Sequence, residues 1–277
     1  MSKQKSYRSS FILLTTLFFL WGFITVLVDS LIPRLRELFT LTYFQAGLVQ
    51  FAFFGAYFLL SIPASFILSK IGYKKGVILG LLTMALGCLL FYPAASYREF
   101  GVFMLAYFIL AGGITILQVA ANPFVAVLGS EKGASSRLNL SQAFNSLGTA
   151  IAPIVGALFI LSDTIKSKEE ISILSTTAKE TYLASEASAV QTPFIGLALF
   201  IGLIAVIFSF SKLPKMISES STGTYREAFR NKKLMQGVLG IFFYVGAEVA
   251  IGSYLINYFL DMNLVSIIKG NGIMKSI

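Results

Sequence analysis

Of the 277 residues, 56% are hydrophobic and 13% charged, and the mean hydropathy is +0.79; soluble domains carry about 45–50% apolar and about 25% charged residues, so this chain cannot hide its apolar side chains in one core and is an integral membrane protein. The net charge of +9 is no sign of nucleic acid, because the basic residues fall in short clusters between apolar runs, where they report membrane orientation. One cysteine, Cys88, excludes a disulfide within the chain, and with no histidine there is no Cys/His cluster of metal-ligand spacing.

Residues 1–9 are polar and basic (Lys3, Lys5, Arg8), and residues 10–32 form the first apolar run. A signal peptide begins the same way. This run, however, exceeds the roughly 7–15 residues of a signal h-region and lacks a small-residue cleavage site, so it reads as a first membrane helix with a cytoplasmic N-terminus. Asp29 lies inside it and shares a helical face with Trp21 and Thr25 at i, i+4, i+8. Two readings of Asp29 are open, a carboxylate reaching headgroups near the helix end or a functional group in a cavity. A loop with Arg34, Arg36 and Glu37 leads to a second run, 43–69, studded with Gly47, Gly55, Ala56 and Ser61 and interrupted by Pro63. Small residues of this kind let helices approach closely. The next loop, LSKIGYKKG, is short and basic. A third run covers 76–95 and a fourth about 100–128.

The fourth run holds AGGITILQVAANPFVAVLG (111–129), apolar enough for lipid yet carrying Gln118, Asn122 and Pro123. Gln118 and Asn122 stack on one helical face, and Pro123 removes a backbone donor and frees the carbonyl of Val119. Hydrocarbon satisfies none of these groups, so they either join helices or line a water-filled cavity. After a polar connection, 129–137, the fifth run, 138–161, opens RLNLSQAFNSLGTAIAP, where Asn139, Gln142, Asn145 and Thr149 recur at helical spacing. Packing alone would not need that polar stripe.

Residues 162–189 mix lysines with five acidic residues and read as an exposed loop with at most a short surface helix. A sixth run, 191–210, precedes a basic connection, 211–233. The seventh run, 234–260, contains Glu248, which either pairs with a neighbouring donor or serves function, since a charge at a helix centre costs roughly 2.5–3.5 kcal/mol even on the mildest scale. The side of the N-terminus carries fourteen lysines and arginines against six on the other side, so the N-terminus is expected inside.

The helices also resemble one another. Residues 22–33, GFITVLVDSLIP, align with 112–123, GGITILQVAANP, and FFYVG (242–246) parallels FFLWG (18–22). Similarity of the first run to the fourth and to the seventh is the pattern of three-helix inverted repeats nested in two parallel six-helix halves, as in transporters.

The segments LFFLWGF, DSLIP, FTLTYFQAGLVQFAFFGAYFLLSIPAS, AANPFVAVLG, RLNLSQAFNSLG, FFYVGAE and SYLINY closely resemble the fucose and glucose/galactose sugar:cation symporters of the major facilitator superfamily. The resemblance implies an all-α integral membrane protein of two six-helix bundles rocking about a central sugar site. On this chain that means an N-terminal bundle (1–211), a cytoplasmic linker (212–233), the first helix of the second bundle (234–260) and a tail (261–277) that shows no family pattern. Because the family continues for five further helices, the resemblance also implies a truncated or frame-shifted product, and hence possible loss of function. In the L-fucose/proton branch a helix-one aspartate and a helix-four glutamate take part in coupling and recognition. The first corresponds to Asp29; the second falls on Gln118, so the chain looks like the glucose/galactose branch, whose helix four reads ILQVAANPF. The fucose branch in turn carries glutamine where Glu248 stands, and the resemblance puts Gln142 and Asn145 in cavity-facing positions.

The expected function is therefore monosaccharide uptake by cation-coupled symport, with Asp29 and Glu248 coupling to H+ or Na+, and Gln118, Asn122, Gln142 and Asn145 binding sugar beside Trp21 and Tyr244 as stacking aromatics. L-fucose and N-acetylglucosamine are the alternative substrates. No cofactor, metal or nucleic acid is expected, and the location is the inner membrane among lipid. A seven-helix receptor or retinal protein fits the helix count, but its N-terminus would be outside and the seventh run has no lysine for a Schiff base. A membrane enzyme lacks its motifs, with neither HExxH nor GxSxG present.

Overall fold

The computed structural model describes residues 7–29, 43–159, 173–214, 225–262, 265–267 and 274–276. The long helices are α1 (Arg8–Asp29), α2 (Tyr43–Ile71), α3 (Tyr73–Tyr97), α4 (Phe100–Val127), α5 (Ala134–Phe159) and α6 (Thr176–Phe210). A 3-10 turn, Glu131–Gly133, precedes α5. The chain divides into two compact units at residues 219/220. The second holds α7 (Tyr225–Arg230), α8 (Lys232–Asp261) and an antiparallel ladder of β1 (Val265–Ile267) with β2 (Met274–Ser276), in which Val265 faces Ser276.

Among the described residues, five segments are long and apolar enough to cross a membrane: Arg8–Val28, Phe51–Ile71, Tyr73–Tyr97, Phe100–Val127 and Gln191–Phe210. The molecule is thus a multi-pass membrane protein. Neither α5, which spends one face on Asn139, Gln142, Asn145 and Thr149, nor α8, which opens on Lys232 and Lys233 and carries Glu248, joins them.

The turns explain how the chain reverses so sharply. Gly72, with φ 78°, is the sole residue between α2 and α3, and α3 ends on Arg98 at φ 54°, whose N–H returns to the Ala94 carbonyl. Such left-handed residues close a helix within one turn.

α3 packs against both α4 and α6, α4 against α2, and α1 against α5, with α5 also touching α4. The pairs α1–α5 and α4–α2 exchange when the first three of these helices are mapped onto the next three, and α3–α6 maps onto itself. Those three pairings follow an inverted repeat; the α3–α4 and α4–α5 pairings have no such counterpart among the main helix contacts of the described residues. Glycines allow the backbones to meet: a Cβ on Gly80 would lie 2.7 Å from the Leu117 nitrogen, and one on Gly87 2.6 Å from that of Leu110. An aromatic chain knits four helices, from Phe53 to the buried Tyr107 (5.3 Å), across Phe91, to Phe194, which stacks on Phe91 at 3.8 Å.

Several boundaries differ from the sequence expectation. Residues 176–189 are not loop but the start of α6, because Ser175 caps it by accepting from the Ala178 N–H and nothing in TTAKETYLASEASA breaks a helix. The 212–233 connection contains α7, and the last long helix begins at Lys232. α5 starts at Ala134, so Arg137 lies within it. Among the described residues, the short β1–β2 ladder is the one addition to an otherwise helical fold.

Candidate functional site

The polar groups of α4 and α5 lie along facing stripes of the two helices, which we call the amide ribbon. Gln118 and Asn122 sit one turn apart on α4, both half-buried, and Gln142 and Asn145 occupy adjacent turns of α5. Gln142 Nε2 donates to Asn122 Oδ1 at 3.4 Å, a long contact at the exposed edge that joins the two helices. Gln118 Nε2 donates to the Tyr57 hydroxyl of α2 at 2.8 Å. Asn145 Nδ2 donates to the backbone carbonyl of Phe18 on α1 at 3.0 Å. Each amide has two N–H groups and an oxygen with two lone pairs, so one bond leaves capacity for a hydroxylated ligand.

The four amides are not equivalent. Asn145 belongs to the α1–α5 seam, where Gly22 lies against its backbone and side chain, Gly148 meets the Phe19 carbonyl, and the buried Thr15 and Ser141 hydroxyls pair at 3.3 Å. Gln142, one turn earlier on the same face of α5, is exposed. Arg137 fixes the register between α4 and α5: Nε donates to the Val125 carbonyl at 3.1 Å, and Nη2 to the carbonyls of Ala126 and Ser130. A guanidinium there satisfies the last carbonyls of α4 and complements the negative end of its dipole.

Trp21 packs in the face of α1, 9% exposed, with its ring edge-on to Phe18 at 5.5 Å, and its carbonyl accepts from Thr25 Oγ1. Asp29 is the last residue of α1, and its side chain lies outside the described ones. In the second unit, Glu248 and Tyr244 are exposed on α8 beside the exposed Phe242 and Phe243. Among the described residues no group of three His, Cys, Asp or Glu could hold a metal ion. A groove of about 780 Å³ between α2 and α4, lined by residues such as Phe51, Phe54, Phe58, Met104, Leu105 and Phe108, is wholly apolar and offers nothing to a sugar hydroxyl.

Sequence reasoning missed Tyr57 and the clamp made by Arg137. The first stands among Phe51, Phe53, Phe54 and Phe58, where its lone hydroxyl was the available signal. The second reads in sequence only as one more orienting charge.

The chain matches the Major Facilitator Superfamily over residues 9–274. It is 47% identical over 266 residues to the glucose/galactose transporter of Brucella abortus, covering 94% of this chain and 60% of that one. It is 39% identical over 268 residues to the L-fucose-proton symporter of Escherichia coli, covering 94% and 61%. A crystal structure of a superfamily transporter in the outward conformation superposes with a TM-score of 0.84 at 39% identity, covering 93% of this chain and 64% of that one. The chain therefore spans about three fifths of the length of these curated relatives.

Proposed function

Because the chain belongs to the Major Facilitator Superfamily, we propose that it serves the uptake of a glucose- or galactose-type monosaccharide by cation-coupled symport with alternating access. The observation that carries this reading is the amide ribbon of Gln118, Asn122, Gln142 and Asn145, running across two helices within apolar membrane-helix sequence. Amides both donate and accept, so they can replace the water around sugar hydroxyls as no apolar wall can. The higher identity to a glucose/galactose transporter than to a fucose symporter supports hexose over 6-deoxyhexose.

In this reading Asp29 and Glu248 are the coupling groups. A carboxylate can bind a proton or a sodium ion on one side of the membrane and release it on the other as access alternates. The proton is the preferred cation, since a relative is a proton symporter, with sodium as the alternative. Tyr244, exposed on α8, supplies an aromatic face. No organic cofactor or nucleic acid takes part. The protein works among inner-membrane lipid with its N-terminus in the cytoplasm.

The test is uptake of labelled galactose, glucose and fucose into vesicles carrying the chain, with an imposed proton or sodium gradient. Galactose and glucose accumulate above equilibrium, and Asp29→Asn abolishes accumulation while leaving sugar exchange intact. Accumulation that survives Asp29→Asn removes Asp29 as the coupling group; no uptake of any sugar overturns the reading.

A further inference from the structure

The amide ribbon is anchored in three different ways. Asn145 gives its N–H to a backbone carbonyl on α1, and Gln142 gives one to Asn122. Gln118 alone among the donors is oriented by a side chain of another chemistry, the phenol of Tyr57, 61 residues away in sequence on α2. In the arrangement present the Gln118 amide gives an Nε2–H to the Tyr57 hydroxyl, and the bond restrains the side chain and leaves Oε1 as its remaining acceptor. A tyrosine hydroxyl that accepts from Nε2 holds the nitrogen against α2 and turns Oε1 the other way, as an acceptor.

Tyr57 is itself held. Its ring lies 5.2 Å from that of Phe53, which lies 5.3 Å from the buried Tyr107 of the core. The hydroxyl is thus the tip of an aromatic chain that starts in the packed centre of the unit, so its position is set by packing and not by its own rotamer freedom. The 2.8 Å separation is a well-formed hydrogen bond, shorter than the 3.4 Å contact between Gln142 and Asn122.

We propose that Tyr57 is a positioning residue for sugar recognition: it holds the Gln118 amide so that Oε1 accepts from a sugar hydroxyl, and it thereby helps set which epimer is preferred. This rests on the reading of the ribbon as a sugar site. A hydroxyl whose orientation differs between epimers meets an acceptor held in place in one sugar and misses it in the other; an amide released from the Tyr57 hydroxyl could move to serve both.

The experiment is equilibrium binding of labelled D-galactose and D-glucose to the purified chain in lipid nanodiscs, comparing the parent, Tyr57→Phe, Gln118→Ala and the double variant. Tyr57→Phe keeps the ring and its packing, and the melting temperature of each variant establishes that it is folded. The expected result is that Tyr57→Phe weakens binding of the preferred sugar about 3- to 10-fold, the worth of one hydrogen bond, and narrows the ratio between the two sugars. In the Gln118→Ala background it should have no further effect. Parent-like binding by Tyr57→Phe, where Gln118→Ala does weaken binding, overturns the inference alone. Losses that add in the double variant overturn it too, because Tyr57 would then act independently of Gln118. Parent-like binding by Gln118→Ala, or no binding of either sugar by the parent, overturns the sugar reading of the ribbon and this inference with it.

Discussion

Asn145 donates its side-chain N–H to the carbonyl of Phe18 at 3.0 Å, so a residue that reads in sequence as a ligand group ties α5 to the backbone of α1. Gly22 lies directly against the same asparagine, and the contact is possible only because that position has no side chain. The α1–α5 seam is consequently a backbone-to-backbone approach stitched by polar groups, as membrane helix pairs commonly are.

Asn145 and Gln142 should therefore separate in mutagenesis. Asn145→Ala is expected to lower stability by about 0.5–1.5 kcal/mol for its lost hydrogen bond, and Gly22→Ala by about 1–3 kcal/mol through overpacking. Gln142→Ala, at an exposed position, should leave the melting curve unchanged and weaken sugar binding. Thermal unfolding in detergent with parallel binding measurements distinguishes them; equal melting temperatures for Asn145→Ala and Gln142→Ala would refute the division of roles.

The Arg137 clamp depends on geometry as well as charge. One guanidinium spans the carbonyls of Val125, Ala126 and Ser130, which the single ammonium of lysine cannot match. Arg137→Lys should recover less than half of the stability lost in Arg137→Ala, a loss of about 1.5–3 kcal/mol for hydrogen bonds to a charged group. Full rescue by lysine would show that charge at the helix end is sufficient.

The α6 extension is tied by an ion pair between Arg98 and Glu180 at 2.8 Å and by Gln191 Nε2 donating to Ser96 Oγ at 2.8 Å. The hydrogen bond from Arg98, followed by its charge, holds the Glu180 carboxyl below its ordinary range. A carboxyl lowered in the folded state contributes stability above its unfolded value and loses it as pH falls through the lowered one. Amide exchange in residues 176–185 should accelerate relative to the helix core as pH drops below the usual carboxylate range, after correction for intrinsic exchange rates, and Glu180→Gln should abolish that extra acceleration. The pair is solvent-exposed, so the effect is small and weakens with salt.

The orientation expected from charge counting has a clean probe in Lys75, which is exposed next to the α2–α3 turn. Its neighbour Tyr73 stacks on Phe124 at 5.7 Å, and Lys74 donates to the carbonyls of Ser209 and Ser211 at 2.8 Å, so either would report packing as well as topology. In a Cys88→Ala background, Lys75→Cys should resist an impermeant thiol reagent on intact cells and react after permeabilisation. Labelling of intact cells would invert the topology.

Membrane class, five of the seven expected apolar spans and the polar faces of the fourth and fifth runs were legible in the sequence, because they depend on composition and on a helical period that any helix must obey. The start of α6 was not, because charge and polarity hid a helix that continues past the apolar span. Periodicity assigns Gln118, Asn122, Gln142 and Asn145 to faces, yet it is silent on the rotation of one helix against the next, and a hydrogen bond depends on both partners at once. Only the tertiary structure turned Asn145 toward the α1 backbone, packed Trp21 edge-on to Phe18, brought the Tyr57 hydroxyl to Gln118 and laid Arg137 over the end of α4.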